Sequence, residues 1–99
     1  GPKFVSDEEV ARISRLNKSE LQFSRILFDT VQLPNEAGVN IHERDQQRID
    51  FVFECLRKFK EPNPNKAAAM WKHCVRRYNY NLTRRRERIP RNSNPPDEE

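Results

Sequence analysis

The chain has 99 residues, 34% of them hydrophobic and 34% charged, which suffices for one small domain with a modest core and a heavily solvated surface. No apolar run approaches the roughly 20 residues that span a bilayer, and nothing resembles a signal peptide. The net charge of +4 hides a division: residues 1–61 carry ten Lys/Arg against eleven Asp/Glu, residues 62–91 carry nine against one, and residues 92–99 add three acids.

Gly1-Pro2 reads as a tag remnant, leaving a helical domain over 3–89 and a disordered tail or linker over 90–99. Ser6 with Glu9 fits a capping box, Val5 and Val10 fit a hydrophobic staple, and Asp7, Glu8 and Glu9 suit a helix N-terminus. Val10, Ile13 and Leu16 then form a short stripe. Ser19 with Gln22 opens a second helix, in which Leu21, Phe28 and Val31 face one way and Phe23, Ile26 and Leu27 another. Such a helix is either central or has an external partner. "LPNEAGVNIH" is a loop marked by Pro34 and Gly38. A third helix follows, with Ile49, Val52, Phe53, Leu56 and Phe59 on one stripe and Phe51 and Cys55 off its edge. "KEPNPN" stops it, and Asn63-Pro64 supplies a cap and first position for a last helix from Pro64 to about Arg88, ending before Pro90. Strand-like alternation is absent.

At 100° per residue in the last helix, Ala68, Trp71, Val75, Tyr78 and Leu82 line up as a core seam, bordered by Cys74. Opposite lie Ala69, His73, Arg76, Arg77, Tyr80 and Arg84, with Thr83 at the margin. Small side chains at Ala67 to Ala69 would allow a close approach by the first turns. A charged face opposite an apolar seam is ordinary on any surface helix. Here, however, the charge is almost all of one sign, where solvated helices mix Lys with Glu, and the run continues through Arg84, Arg85, Arg86, Arg88 and Arg91. A polyanionic partner is the reading favoured over a solvated basic tail. Arg, His, Tyr and Thr are side chains that read base edges and phosphates in a major groove wide enough for a helix. Lys66 and Lys72 complete the candidate set.

Trp71, Arg77, Tyr78 and Leu82, spaced as W-x5-RY-x3-L, resemble the third helix of the Myb-type domains in the repressor-activator (Rap) telomere proteins. "FVSDEEVARI" at residues 4–13 resembles the opening of the same domains, so the resemblance brackets residues 4–89. The Myb-containing domains of nematode double-stranded telomere-binding proteins are similar as well. The resemblance implies an all-α, Myb/homeodomain-like helix-turn-helix fold of three to four helices with a long basic C-terminal helix. It also implies binding of double-stranded DNA, telomeric repeats in particular, on a chromosome in a nucleus. The sequence departs from an ordinary Myb repeat in having one Trp and a stretched middle.

Two other classes stay open. A Myb-like dimerisation or adaptor module of a telomere or chromatin protein would use the second, two-sided helix as its contact surface. An RNA or general polyanion binder is disfavoured by the absence of strands to display aromatics. Metal binding is not expected: His42, His73, Cys55 and Cys74 show no paired zinc spacing, and the thiols read as small buried hydrophobes. No orienting third group marks a Cys-His catalytic pair and no Gly-rich phosphate loop is present, so neither an enzyme nor a cofactor is expected.

Overall fold

Each helix begins where a side chain satisfies its first free backbone N–H groups. The Ser6 hydroxyl accepts from the Glu9 N–H at 3.1 Å, Ser19 from Gln22 at 3.1 Å and Asp45 from Arg48 at 3.2 Å. Asn63 accepts from Asn65 and Lys66 at 3.0 and 3.2 Å, with Pro64 following as the first helical residue. These caps open α1 (Asp7–Leu16), α2 (Glu20–Val31), α3 (Gln46–Phe59) and α4 (Pro64–Ser93) in the computed structural model, which describes the backbone of residues 1–93 and the side chains of residues 1–85. The first capping box is half formed, because the Glu9 carboxylate turns to Arg12, 2.9 Å from Nε.

The fold is all-α, and the described residues contain no strand. α2, α3 and α4 pack each against the other two, while α1 lies against α2 and α3. The opening resemblance at residues 4–13 therefore falls on a helix added outside the three-helix unit. α2 runs through the centre. Phe23 and Leu27 are 0% exposed, so the face reserved for an external partner is interior. An aspartate at either position would unfold the chain rather than separate a dimer. Only Ile26 of that trio reaches the surface, and it packs against the core as well.

α3 is rotated slightly from the expected stripe: Cys55 is buried with Ile49, Val52 and Leu56, and Phe53 moves to the edge. The cause lies in the N-terminal segment, where the Phe4 ring meets Phe51 edge-on at 5.7 Å and extends the covered face. In α4, Ala67 is buried and Ala68 is exposed, and Trp71 is only partly buried against the core. α2 draws the seam toward Cys74, whose Sγ lies 3.6 Å from the Glu20 carbonyl. Cys55 and Cys74 are free thiols, and burial pushes Cys55 up to about 11. Beyond Leu82, α4 leaves the core and continues through Pro90 to Ser93, past the expected end near Arg88. One proline removes one ladder hydrogen bond and crowds one carbonyl, and the backbone stays helical on both sides of it. Residues 94–99, most of the expected tail, lie outside the described residues.

The connection from α2 to α3 makes two 3-10 turns, Pro34–Glu36 and Ile41–Glu43, with Gly38 between them at φ 80°, a conformation that suits glycine. Polar groups hold it. Arg44, 6% exposed, donates to the Val39 carbonyl at 2.9 Å and the Tyr78 hydroxyl at 3.3 Å, and the Tyr78 hydroxyl donates in turn to Asp29. Burial first, then the Asp29 carboxylate, raise the Tyr78 phenol, which stays a donor. Glu36 is buried and accepts the backbone N–H groups of Leu33 at 2.9 Å and Asp45 at 2.6 Å. At the opposite end, Lys60 Nζ donates to the carbonyls of Ser14, Asn17 and Lys18 at 3.1, 2.9 and 3.3 Å, closing the C-terminus of α1 and the turn after it.

Two outcomes follow from this packing. Phe28→Ala removes a fully buried ring that touches both Trp71 and Tyr78, and should cost about 3–5 kcal/mol, read by chemical denaturation. Burial works to raise the Glu36 carboxyl, but the Leu33 and Asp45 N–H groups, with Arg44 and Arg48 nearby, outweigh it and hold the group below its ordinary 4.5. A depressed folded value means stability that is present above the unfolded value and lost as pH falls through the folded one. Glu36→Gln should therefore melt lower than wild type at neutral pH, with the gap narrowing as pH drops below about 4.

Candidate nucleic-acid interface

The outward face of α4 is set by what its inner face buries. Ala67, Cys74, Val75, Tyr78 and Leu82 point into the core, so side chains about 180° away on the wheel point to solvent. Ala69, His73, Arg76 and Tyr80 are exposed along that line, with Lys66, Lys72 and Thr83 also exposed on its flanks. Arg77 is exposed too, but on the α2 flank rather than the crest. It lines a groove that also includes Arg25 and Gln22 of α2. The expectation that Arg76 and Arg77 share one central position is thus corrected: a 100° step separates them, and the core fixes which one is outermost.

Arg84 and Arg85 are exposed beyond the last core residue. Arg84 Nη1 donates to the Tyr80 hydroxyl at 3.2 Å, and its guanidinium carbon lies 5.8 Å from the Tyr80 ring centroid. This pair, one turn apart, holds an aromatic face and a cation side by side. The side chains of Arg86 and Arg88, also expected in the interface, lie outside the described residues.

Electrostatically, α4 differs from the body. The ion pairs among the described residues join Lys3 and Lys58 to Asp7, Arg12 to Glu9 and Arg48 to Asp45, all on the α1 and α3 side. Lys66, Lys72, Arg76, Arg77 and Arg85 have no carboxylate within ion-pair distance among the described residues. Among the described residues their charge has no paired acid, which concentrates positive potential along one helix.

Sequence reasoning missed Arg25 because its place beside Arg77 arises only when α2 crosses α4. Asn79, a polar residue on a basic helix, belongs to the scaffold: its Oδ1 accepts the Ile41 N–H at 2.9 Å and ties the loop to α4. His42 is exposed on the second 3-10 turn. Among the described residues, no three His, Cys, Asp or Glu side chains converge on a possible metal position, and no helix is long and apolar enough to cross a membrane.

Because the outer side chains carry no packing, Arg76→Ala, Arg77→Ala and His73→Ala should each shift stability by less than about 0.5 kcal/mol in thermal melts. Binding losses in these variants would then report on the interface itself. Comparison with protein-family models, with curated proteins and with solved structures finds no match to this chain.

Proposed function

We propose that this domain binds double-stranded DNA in a sequence-specific way, with α4 lying in the major groove in the manner of a Myb/homeodomain-like helix-turn-helix. The observation that carries the reading is that Lys66, Lys72, Arg76 and Arg77, exposed on the crest and flanks of α4 away from its buried seam, meet no carboxylate within ion-pair distance among the described residues. α3, a four-residue connection and α4 supply the order of elements such a module uses. Ala69, His73, Arg76 and Tyr80 would stand nearest the base edges. Lys66, Lys72, Arg77, Arg84 and Arg85 would stand nearer the phosphates, with Arg86 and Arg88 continuing the row. Telomeric repeat DNA is the proposed target, and a nuclear chromosome the proposed location, on the strength of the W-x5-RY-x3-L resemblance at Trp71 to Leu82. The role is that of a binding module rather than an enzyme.

Arg76 has the length and the fork of donors that pair with guanine O6 and N7. Arg76→Ala should cost roughly 1–3 kcal/mol on the preferred site and flatten preference at one base pair, while leaving the others unchanged. The measurement is a titration of labelled telomeric duplex, a scrambled duplex and all single-base variants, each at two salt concentrations. Equal loss on every variant would make Arg76 a phosphate contact. Equal affinity of wild type for telomeric and scrambled duplexes would refute sequence-specific reading.

A further inference from the structure

Between the first turns of α2 and the middle of α4 lies an open groove of about 280 Å³. Gln22 and Arg25 line one wall, Arg77 and Asn81 the other, and the buried residues Cys74 and Tyr78 lie at its base. No carboxylate lines it. Arg25 and Arg77 are both exposed, and neither meets an acid within ion-pair distance among the described residues.

Two guanidinium groups on separate helices beside one groove repel each other unless an anion lies between them. The complementary anion has several oxygens in a compact array, because each guanidinium presents a planar fork of donors. A phosphodiester fits that description. Its non-bridging oxygens can take one fork each, and the Gln22 and Asn81 amides offer neutral donors beside them. The placement agrees: α2 rises beside α4 on the Arg77 flank, and a helix seated in a major groove has strand backbones along its flanks.

We propose that this groove seats a single backbone phosphate of the bound duplex, gripped jointly by Arg25 and Arg77. The proposal rests on the duplex-binding reading above. It makes Arg25 of α2 part of the interface and assigns Arg77 to register rather than to base reading.

The test is a salt series on the best duplex with wild type, Arg25→Ala, Arg77→Ala, the double variant, Arg25→Lys and Arg76→Ala, each first shown to melt like wild type. Arg25→Ala and Arg77→Ala should each weaken every single-base variant alike, on the order of three- to tenfold. Because the two residues share one phosphate, the double variant should lose less than the product of the single losses. Its salt slope should fall by about 0.9, whereas two independent phosphates would give about 1.8. Arg25→Lys should recover part of the affinity. Arg25→Ala binding like wild type, with Arg76→Ala impaired, would overturn the clamp and leave the duplex reading standing. A change of preference at one base pair in Arg77→Ala would also overturn it, as would independent losses in the double variant. Inorganic phosphate should weaken duplex binding by wild type more than chloride of equal ionic strength, and should lose that extra effect in Arg25→Ala. Phosphate that binds wild type in an Arg25-dependent way while leaving duplex affinity unchanged would give the groove to a free anion and overturn the phosphodiester clamp. Failure of wild type to bind any duplex would end both readings together.

Discussion

The contact of Phe28 with two rings of α4 fixes how that helix is turned about its own axis. Its centroid lies 5.5 Å from that of Trp71 and 4.9 Å from that of Tyr78, at tilted angles that interlock rather than slide. Tyr78 is then held at its far end by Asp29 and Arg44, so neither translation nor rotation of α4 is free. Whatever α4 presents to solvent is determined from inside. A basic surface on a loosely docked helix would be a smear of charge; here it has a crest, with Ala69, Arg76 and Tyr80 along it, and two flanks.

Much of the fold was readable because its signals are local. Ser6, Ser19 and Asn63 announce helix starts within a few residues of themselves, and the seam of Val75, Tyr78 and Leu82 repeats at helical spacing. The errors fell where a distant segment intervenes. Cys55 is buried as its reading as a small hydrophobe implies, but it lies within the α3 stripe rather than off its edge, and Ala67 replaces Ala68 because α2 pulls the seam sideways. Phe23 and Leu27 looked like a second surface since a central helix and a helix with an external partner have the same pattern. Arg44 and Glu36 carried no signal at all, being charged residues in a loop. Their burial depends on partners up to 34 residues away in sequence. For the candidate site, the exposed set on α4 was legible from the wheel. The contrast between Arg76 and Arg77, and the arrival of Arg25, needed the third dimension.

Charge is sorted in this molecule by use. On α1 and α3, acids and bases stand near each other and pair across one turn or between helices, contributing little net field. The buried Arg44 and Glu36 spend their charge on backbone carbonyls and N–H groups that would otherwise lack partners. Along α4, by contrast, Lys66, Lys72, Arg76, Arg77 and Arg85 meet no carboxylate within ion-pair distance among the described residues. That arrangement gains nothing for folding, since like charges on one helix repel. Under the proposed function, its complement is the phosphate backbone of the bound duplex.

α4 is at once a wall of the core and the platform for the basic face, joined by a continuous helical register. Inserting or deleting one residue between Tyr78 and Leu82 would turn everything downstream by about 100° and shift it by about 1.5 Å. Arg84 and Arg85 would then face new directions while Trp71 and Val75 kept theirs. Seven added residues, by contrast, would restore the phase to within about 20°. Length variation in this helix is therefore quantised: among chains sharing this architecture, gaps inside the stretch from Ala67 to Arg85 should fall near lengths that restore the helical phase, about seven, eleven or eighteen residues. Gaps between Ala37 and Asn40 face no such phase rule, provided Glu36 still reaches the Leu33 and Asp45 N–H groups and Ile41 and Arg44 still reach α4.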